Sequence, residues 1–267
     1  MEIELDERLL PPAEPTRGFG EKDERRIVPD VTKAPWALIC CLEYRETIKW
    51  PPFSRWVPYG TGWLAGPDKV VTAAHCVQYP EGHPKWTKPI HEIRVSPGRQ
   101  GSKSPFGHQT SSRFISGWDN SDRGTWTIQR DFAVIHLPKP FRGLEGGFEF
   151  GHSRDADSLI GQKVHVSGYP VGKEGEVVQL YHQDEVVKIG DGVVHYRSDT
   201  TAGQSGAPVF LVHPTSPGRG RVEVVAIHRG EVDNGKETNW GPLLSGETAE
   251  LVAQWVKDGP GAGGAWV

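Results

Sequence analysis

The chain has 267 residues, 36% of them hydrophobic and 24% charged, which is enough apolar material for a core and excludes wholesale disorder. A net charge of −4 leaves no basic surplus to neutralise phosphates, so no nucleic-acid partner is expected. No apolar run approaches the roughly 20 residues of a membrane span, so no membrane partner is expected either. The 33 glycines and 22 prolines suit many turns between short strands rather than a bundle of long helices.

Residues 1–30 are charged and Pro-rich without periodicity and read as an extended arm. They hold no apolar signal core, so the expectation is a cytoplasmic protein; the alternatives are a secreted chain whose leader is absent and unconventional export. Residues 36–42 form the first predicted strand. Residues 61–65 and 69–73 read as two strands joined at Gly66-Pro67-Asp68, where Pro67 presets the turn. Residues 96–125 are mostly loop. Residues 132–137 suit a buried strand, and further strand-like runs fall at 164–168, 176–181, 185–189, 193–197, 207–212 and 222–228. Spacing near ten residues with turn residues between predicts an all-β barrel or sandwich. One helix is predicted over about 245–258: Ser245 caps it, Leu244, Leu251, Val252, Trp255 and Val256 form its apolar stripe, and Gly259-Pro260 stops it. Residues 259–267 read as a flexible tail.

Three stretches carry chemistry. Thr72-Ala73-Ala74-His75-Cys76 follows an apolar strand, Arg130-Asp131 precedes another, and Gly203-Gln204-Ser205-Gly206 sits between Thr200-Thr201 and an apolar run. A serine hydroxyl is a poor nucleophile at neutral pH and needs an imidazole to take its proton. A carboxylate on the far side of that ring fixes the tautomer and stabilises the imidazolium. Glycines beside the serine let the N–H groups of Gly203 and Ser205 face a developing oxyanion. Each motif alone is weak; the three together point to nucleophilic catalysis by Ser205, with His75 as base and Asp131 as orienting acid.

These stretches resemble the chymotrypsin-like serine peptidases. The segments GTGWLAGPDKVVTAAHC, VSGYP, DTTAGQSGAPVF and AIHRG, with Asn239-Trp240-Gly241 and a last helix ending in Trp255, are most similar to the bacterial glutamyl endopeptidase branch. The resemblance implies two six-stranded antiparallel β-barrels, about 31–145 and about 146–244, with a C-terminal helix and the cleft between the barrels. It implies a serine endopeptidase acting on a polypeptide substrate through an acyl-enzyme, without a cofactor. It also places Thr200 and His228 against an acidic P1 side chain, where a hydroxyl and an imidazole N–H would bind a carboxylate. If that imidazole is protonated, cleavage after Glu should weaken as His228 loses its proton. Asp199 stands where trypsin-type enzymes keep the acid that selects Arg or Lys, so its direction decides between acidic and basic P1.

The chain departs from the family pattern in several places, with Ala207 standing where Ser is common. Ala202 replaces a glycine. Gly60 stands where a Cys would bridge to Cys76, and only Cys40 and Cys41 remain as partners. Arg25-Arg26-Ile27-Val28 looks like a zymogen cleavage site, yet Gln204 occupies the place of the Asp that in digestive enzymes receives the new amine. Trimming to Ile27 is expected to raise activity if the amine completes the pocket; the bland alternative is a solvated charged arm. No histidine outside the motifs, His83 and His108 included, has ligand spacing, so no metal is expected. The rivals to a peptidase are a barrel that kept the triad as a blocked binding module, and an esterase.

Overall fold

The computed structural model describes residues 3–6, 23–49, 52–78, 92–119, 126–151, 155–171, 177–231 and 238–258. Two short strands come first, β1 (Glu4–Asp6) and β2 (Arg26–Ile27). The first barrel follows with β3 (Ile39–Lys49), β4 (Pro52–Gly66), β5 (Lys69–Thr72), β6 (Ile93–Pro97), β7 (Gln109–Ser111), β8 (Phe114–Ser116) and β9 (Ala133–His136), in the order β7-β6-β3-β4-β5-β9-β8. β7 and β8 are two halves of one bent strand: Ser111 Oγ donates to His136 O at 2.6 Å and His136 N–H donates to Arg113 O at 2.9 Å. The wall thus closes on itself with six members.

The second sheet contains β10 (Glu149–Phe150), β11 (Lys163–Gly168), β12 (Leu180–Gly190), β13 (Val193–Tyr196), β14 (Pro208–Ser216), β15 (Arg219–Ile227), β16 (Gly230–Glu231) and β17 (Asn239–Pro242). The path β15-β14-β11-β12-β13-β17 closes through the Ala226–Leu243 bridge and Leu244 N–H to Val225 O at 2.8 Å. This is a second six-membered barrel. β1 pairs with β15 and β2 with β12. Both strands come from the segment read as an arm.

The sequence runs explain the walls. All four residues of β9 are buried, and β5 and β15 bury their Val-rich stretches. Trp63, Leu42, Val70 and Ile135 fill the first barrel. Trp63 meets Phe148 and Phe150 edge-on at 5.8 and 5.6 Å, and Phe148 meets Phe210 of the second barrel at 6.0 Å, so one apolar core runs through both.

Three elements differ from the sequence reading. Residues 36–38 are a 3₁₀ turn, and the first strand then runs on to Lys49 as a long hairpin with β4. Charges hide that hairpin from any apolar pattern, and cross-strand contacts hold it instead. Arg55 donates to Glu46 at 2.7 Å and Tyr44 packs edge-on to Tyr59 at 5.6 Å. β7 and β8 lie inside the stretch read as loop. The runs at 176–181 and 185–189 merge into β12, bulged between Val186 and Lys188. Residues 259–267, read as a tail, lie outside the described residues.

The last helix, α1 (Gly246–Asp258), buries Ala249, Val252 and Trp255, with Glu247 in its first turn and Lys257 in its last. It leaves the second barrel and packs on the first: the Trp255 ring stands 5.5 Å from Phe132, the residue after Asp131. Trp255→Ala should therefore destabilise the fold by about 3–5 kcal/mol. Urea unfolding checks this; a loss below about 1 kcal/mol would make the helix peripheral.

Candidate active site

Asp131 ends a short turn just before β9 and is fully buried. Its Oδ1 accepts the His75 backbone N–H at 3.0 Å, and its Oδ2 lies 2.8 Å from His75 Nδ1. Both contacts fix the imidazole, which sits on the 3₁₀ turn after β5 with 15% of its side chain exposed. Nδ1 therefore carries a proton toward the carboxylate, and Nε2 is the basic end. Burial opposes a charged ring, but the negative charge of Asp131, with smaller contributions from Cys76, raises the His75 pKa well above its usual value. Asp131 moves the other way: burial would raise it, but His75 and then Arg229 hold it below the usual carboxylate range. Arg229 Nε lies 3.2 Å from Asp131 Oδ2, close enough for attraction although its N–H is not aimed as a hydrogen bond.

Ser205 follows a loop whose shape depends on two glycines with positive φ, Gly203 at +98° and Gly206 at +86°. A β-carbon on Gly203 would come within 2.6 Å of Tyr169 O, and one on Gly206 would overlap Thr61 O. Ala202, by contrast, is exposed. Among the described residues, the amides of Gly203 and Ser205 have no acceptor, as an oxyanion site requires. The Ser205 hydroxyl donates to Arg229 O at 3.0 Å, not to His75. Proton transfer to His75 requires the hydroxyl to turn its proton away from Arg229 O, and such bonds commonly tighten only with substrate bound.

Thr61 of β4 joins this loop to the first barrel. Its N–H donates to Ser205 O, its hydroxyl to Gly203 O and its hydroxyl accepts Tyr169 N–H, each at 2.9 Å.

The two residues predicted for P1 recognition are held by one cross-strand pair, Tyr196 of β13 opposite Asn239 of β17. The Tyr196 hydroxyl lies 2.6 Å from His228 Nδ1 and, among the described residues, has no other acceptor. It therefore donates there, which leaves the proton of a neutral His228 on Nε2. That Nε2 has no protein partner among the described residues. Burial, then the charge of His75, pushes His228 down to about 3. The imidazole is thus neutral across the working range, which overturns the expectation that Glu cleavage tracks its deprotonation. Asn239 Nδ2 donates to Ser198 O, so its Oδ1 is free to accept the Thr200 hydroxyl at 2.6 Å. Thr200 must rotate before it can face a carboxylate. Asp199 turns to the N-terminal segment, where its Oδ2 accepts the Glu24 amide at 2.7 Å.

Residues 60–213 match the trypsin-like peptidase domain. The chain belongs to the trypsin-like peptidase family. Glutamyl endopeptidase of Bacillus licheniformis is 31% identical over 197 residues, 73% of this chain and 58% of its own length. The chain thus spans well under two thirds of that relative. Extracellular metalloprotease of Bacillus subtilis is 27% identical over 238 residues, 88% of this chain and 68% of its own length. A solved Glu endopeptidase in complex with MPD shares the fold with a TM-score of 0.68 at 23% identity, over 87% of this chain and 96% of that one.

Among the described residues, one group of potential metal ligands stands near the site: the ligand atoms of Glu24, His182 and Asp199 lie within 4.8 Å of one another. It does not fit a cation. His182 Nδ1 accepts the Asp199 amide at 2.7 Å, so the neutral ring carries its proton on Nε2, the atom facing Glu24. Cys40, Cys41 and Cys76 are all buried free thiols, so neither alternative bridge forms.

Sequence motifs located His75, Asp131 and Ser205 but missed Thr61, Tyr196, Asn239 and Arg229. The only local signal for Thr61 is a polar residue in a buried run.

Two outcomes follow from this geometry. A β-carbon on Gly60 would lie 3.6 Å from Cys76 Cβ and 3.1 Å from its Sγ, within reach of a disulfide. Gly60→Cys should oxidise to a bridge with Cys76 and add up to about 3 kcal/mol, the scale for a loop of roughly 15 residues. A melting temperature indifferent to reductant would refute it. Thr61→Val keeps the shape but strips partners from Gly203 O and Tyr169 N–H. About 1–3 kcal/mol should be lost per stranded group, with amide exchange rising across 201–206; unchanged exchange there would show that the tie is dispensable.

Proposed function

We propose that the chain is a serine endopeptidase that cleaves polypeptides through an acyl-enzyme and prefers an acidic residue at P1. The observation that carries the peptidase reading is the buried Asp131 taking the His75 amide and Nδ1 while, among the described residues, the Gly203 and Ser205 amides stand without acceptors. His75 Nε2 takes the Ser205 proton as Oγ attacks the carbonyl carbon. The oxygen of that carbonyl gains negative charge between the Gly203 and Ser205 N–H groups. The imidazolium, stabilised by Asp131, then protonates the leaving amine. Water repeats the sequence on the acyl-enzyme with His75 again as base and returns Ser205.

Three features support acidic P1 over basic P1. Asp199 is spent on the Glu24 amide instead of offering a counter-charge to Arg or Lys. His228 presents a fixed N–H donor. Thr200 needs only one rotation to offer its hydroxyl. The relatives named as glutamyl endopeptidases point the same way.

A fluorophosphonate probe should label the wild type and not Ser205→Ala. A peptide library should then be cut mainly after Glu or Asp. His228→Ala should lower cleavage after Glu at least tenfold, equivalent to about 1.4 kcal/mol, while cleavage after small residues changes little. Because His228 titrates near 3, the Glu-to-Ala preference should stay flat from about pH 6 to 8. Cutting mainly after Arg or Lys, abolished by Asp199→Ala, would overturn the P1 assignment and leave the peptidase standing. A wild type that the probe never labels would overturn the peptidase itself.

A further inference from the structure

A buried guanidinium ties the segment before the first barrel to the nucleophile loop. Arg25 is only 3% exposed. Its Nη1 donates to Thr201 Oγ1 at 2.7 Å and to Gln204 Oε1 at 2.8 Å. Its Nε and Nη2 grip the Asp23 carboxylate, Nη2 at 2.5 Å and Nε at 2.9 and 3.1 Å. Gln204 Oε1 also accepts the Thr201 amide at 3.0 Å, so one oxygen closes the loop on itself and on Arg25. The segment is anchored on either side of Arg25: Glu24 N–H reaches Asp199, Val28 N–H reaches Gln179 O at 3.0 Å, and β2 pairs with Leu180 and Tyr181.

A cation taken out of water costs several kcal/mol unless it is paired and its donors are used. Here Asp23 supplies the counter-charge and Thr201 and Gln204 accept from Nη1, so residues 23–28 are no solvated arm. Its contacts fall on the residues whose geometry matters. Gln204 lies between Gly203 and Ser205, the two amides facing the oxyanion, and Gly203 sits in a conformation that other residues rarely adopt. Thr61 holds this loop from the first-barrel side. Arg25 holds it from the other.

We infer that Arg25 is a positioning residue for the oxyanion loop: with Asp23 it forms a strap that keeps residues 199–205 in the competent shape in the uncut chain, so that cleavage at Arg25-Arg26-Ile27 disables the protein instead of activating it. This rests on the peptidase reading above. It reverses the expectation that trimming to Ile27 raises activity. The strap replaces a new N-terminal amine by an internal guanidinium, and it needs no Asp before Ser205 because Gln204 accepts the bond.

The test compares the full chain, Arg25→Ala, Arg25→Lys, Gln204→Leu and a chain beginning at Ile27. Arg25→Ala and the trimmed chain should lose at least tenfold in kcat on one peptide with KM changed less than about twofold, since the loop serves the transition state more than the ground state. Amides of residues 201–205 should exchange faster in both. Arg25→Lys should recover part of kcat, because one ammonium reaches Gln204 without the fork. Guanidinium ion, at concentrations too low to denature, should partly restore Arg25→Ala. Gln204→Leu keeps the Arg25–Asp23 pair and should lower kcat similarly, which decides the matter if Arg25→Ala does not fold. Wild-type kcat in either the trimmed chain or Gln204→Leu, or loop exchange unchanged by these variants, would overturn the strap. A fluorophosphonate probe that fails on the full chain would instead refute the peptidase reading, and the exchange comparison would still decide the strap.

Discussion

The site depends on how two barrels are held together, and the tightest tie is Thr61. It is fully buried and uses every polar group it has. Its N–H and hydroxyl hold the carbonyls of Ser205 and Gly203, the hydroxyl receives Tyr169, and its own carbonyl accepts Thr72 Oγ1 at 2.7 Å. His75 follows β5, which ends at Thr72, while Ser205 belongs to the second barrel. Thr61 therefore fixes His75 relative to Ser205. In a low-dielectric interior each of these bonds is costly to leave unmade, so the interface has one good arrangement instead of a sliding range. Gly206 completes it, because no side chain fits between Thr61 and Thr72 there.

The legible part of this site was whatever a few consecutive residues could encode. The strand-then-His pattern, the Arg-Asp before an apolar strand and the glycines around Ser205 are local; the structure pairs His75 with Asp131, and the Ser205 carbonyl meets Sγ of Cys76, the residue after His75. The strand pattern likewise gave most walls of both barrels. The hairpin of β3 and β4 beyond Leu42 stayed hidden because its stability comes from Arg, Glu and Tyr pairs across strands, which no apolar period records. The same limit hid the supports of the site. Thr61 reaches Gly203, Tyr196 reaches His228 and Arg25 reaches Gln204 across long sequence separations, and each looks like an ordinary strand or surface residue in its own neighbourhood. Asp199 shows the limit most directly. Its position suggests two opposite specificities, and its contact with the Glu24 amide, 175 residues away in sequence, is one that no local pattern records.

Two imidazoles stand close enough to feel each other, and their surroundings drive them apart. His75 faces Asp131, so its charged form is held; His228 faces a phenol that donates to it, so its charged form has nothing to gain and burial decides. The two rings are thus pushed in opposite directions without any difference in residue type, the charged form favoured at His75 and the neutral form at His228. Arg229, next in sequence to His228, sits between these environments. Its carbonyl takes the Ser205 hydroxyl and its guanidinium, laid over the Trp240 ring at 5.4 Å, leans on Asp131. That second cation competes with His75 for the same carboxylate oxygen. On the proposed reading, an imidazolium at His75 would share Asp131 with this guanidinium, so the carboxylate would hold it less strongly than in an isolated His–Asp pair.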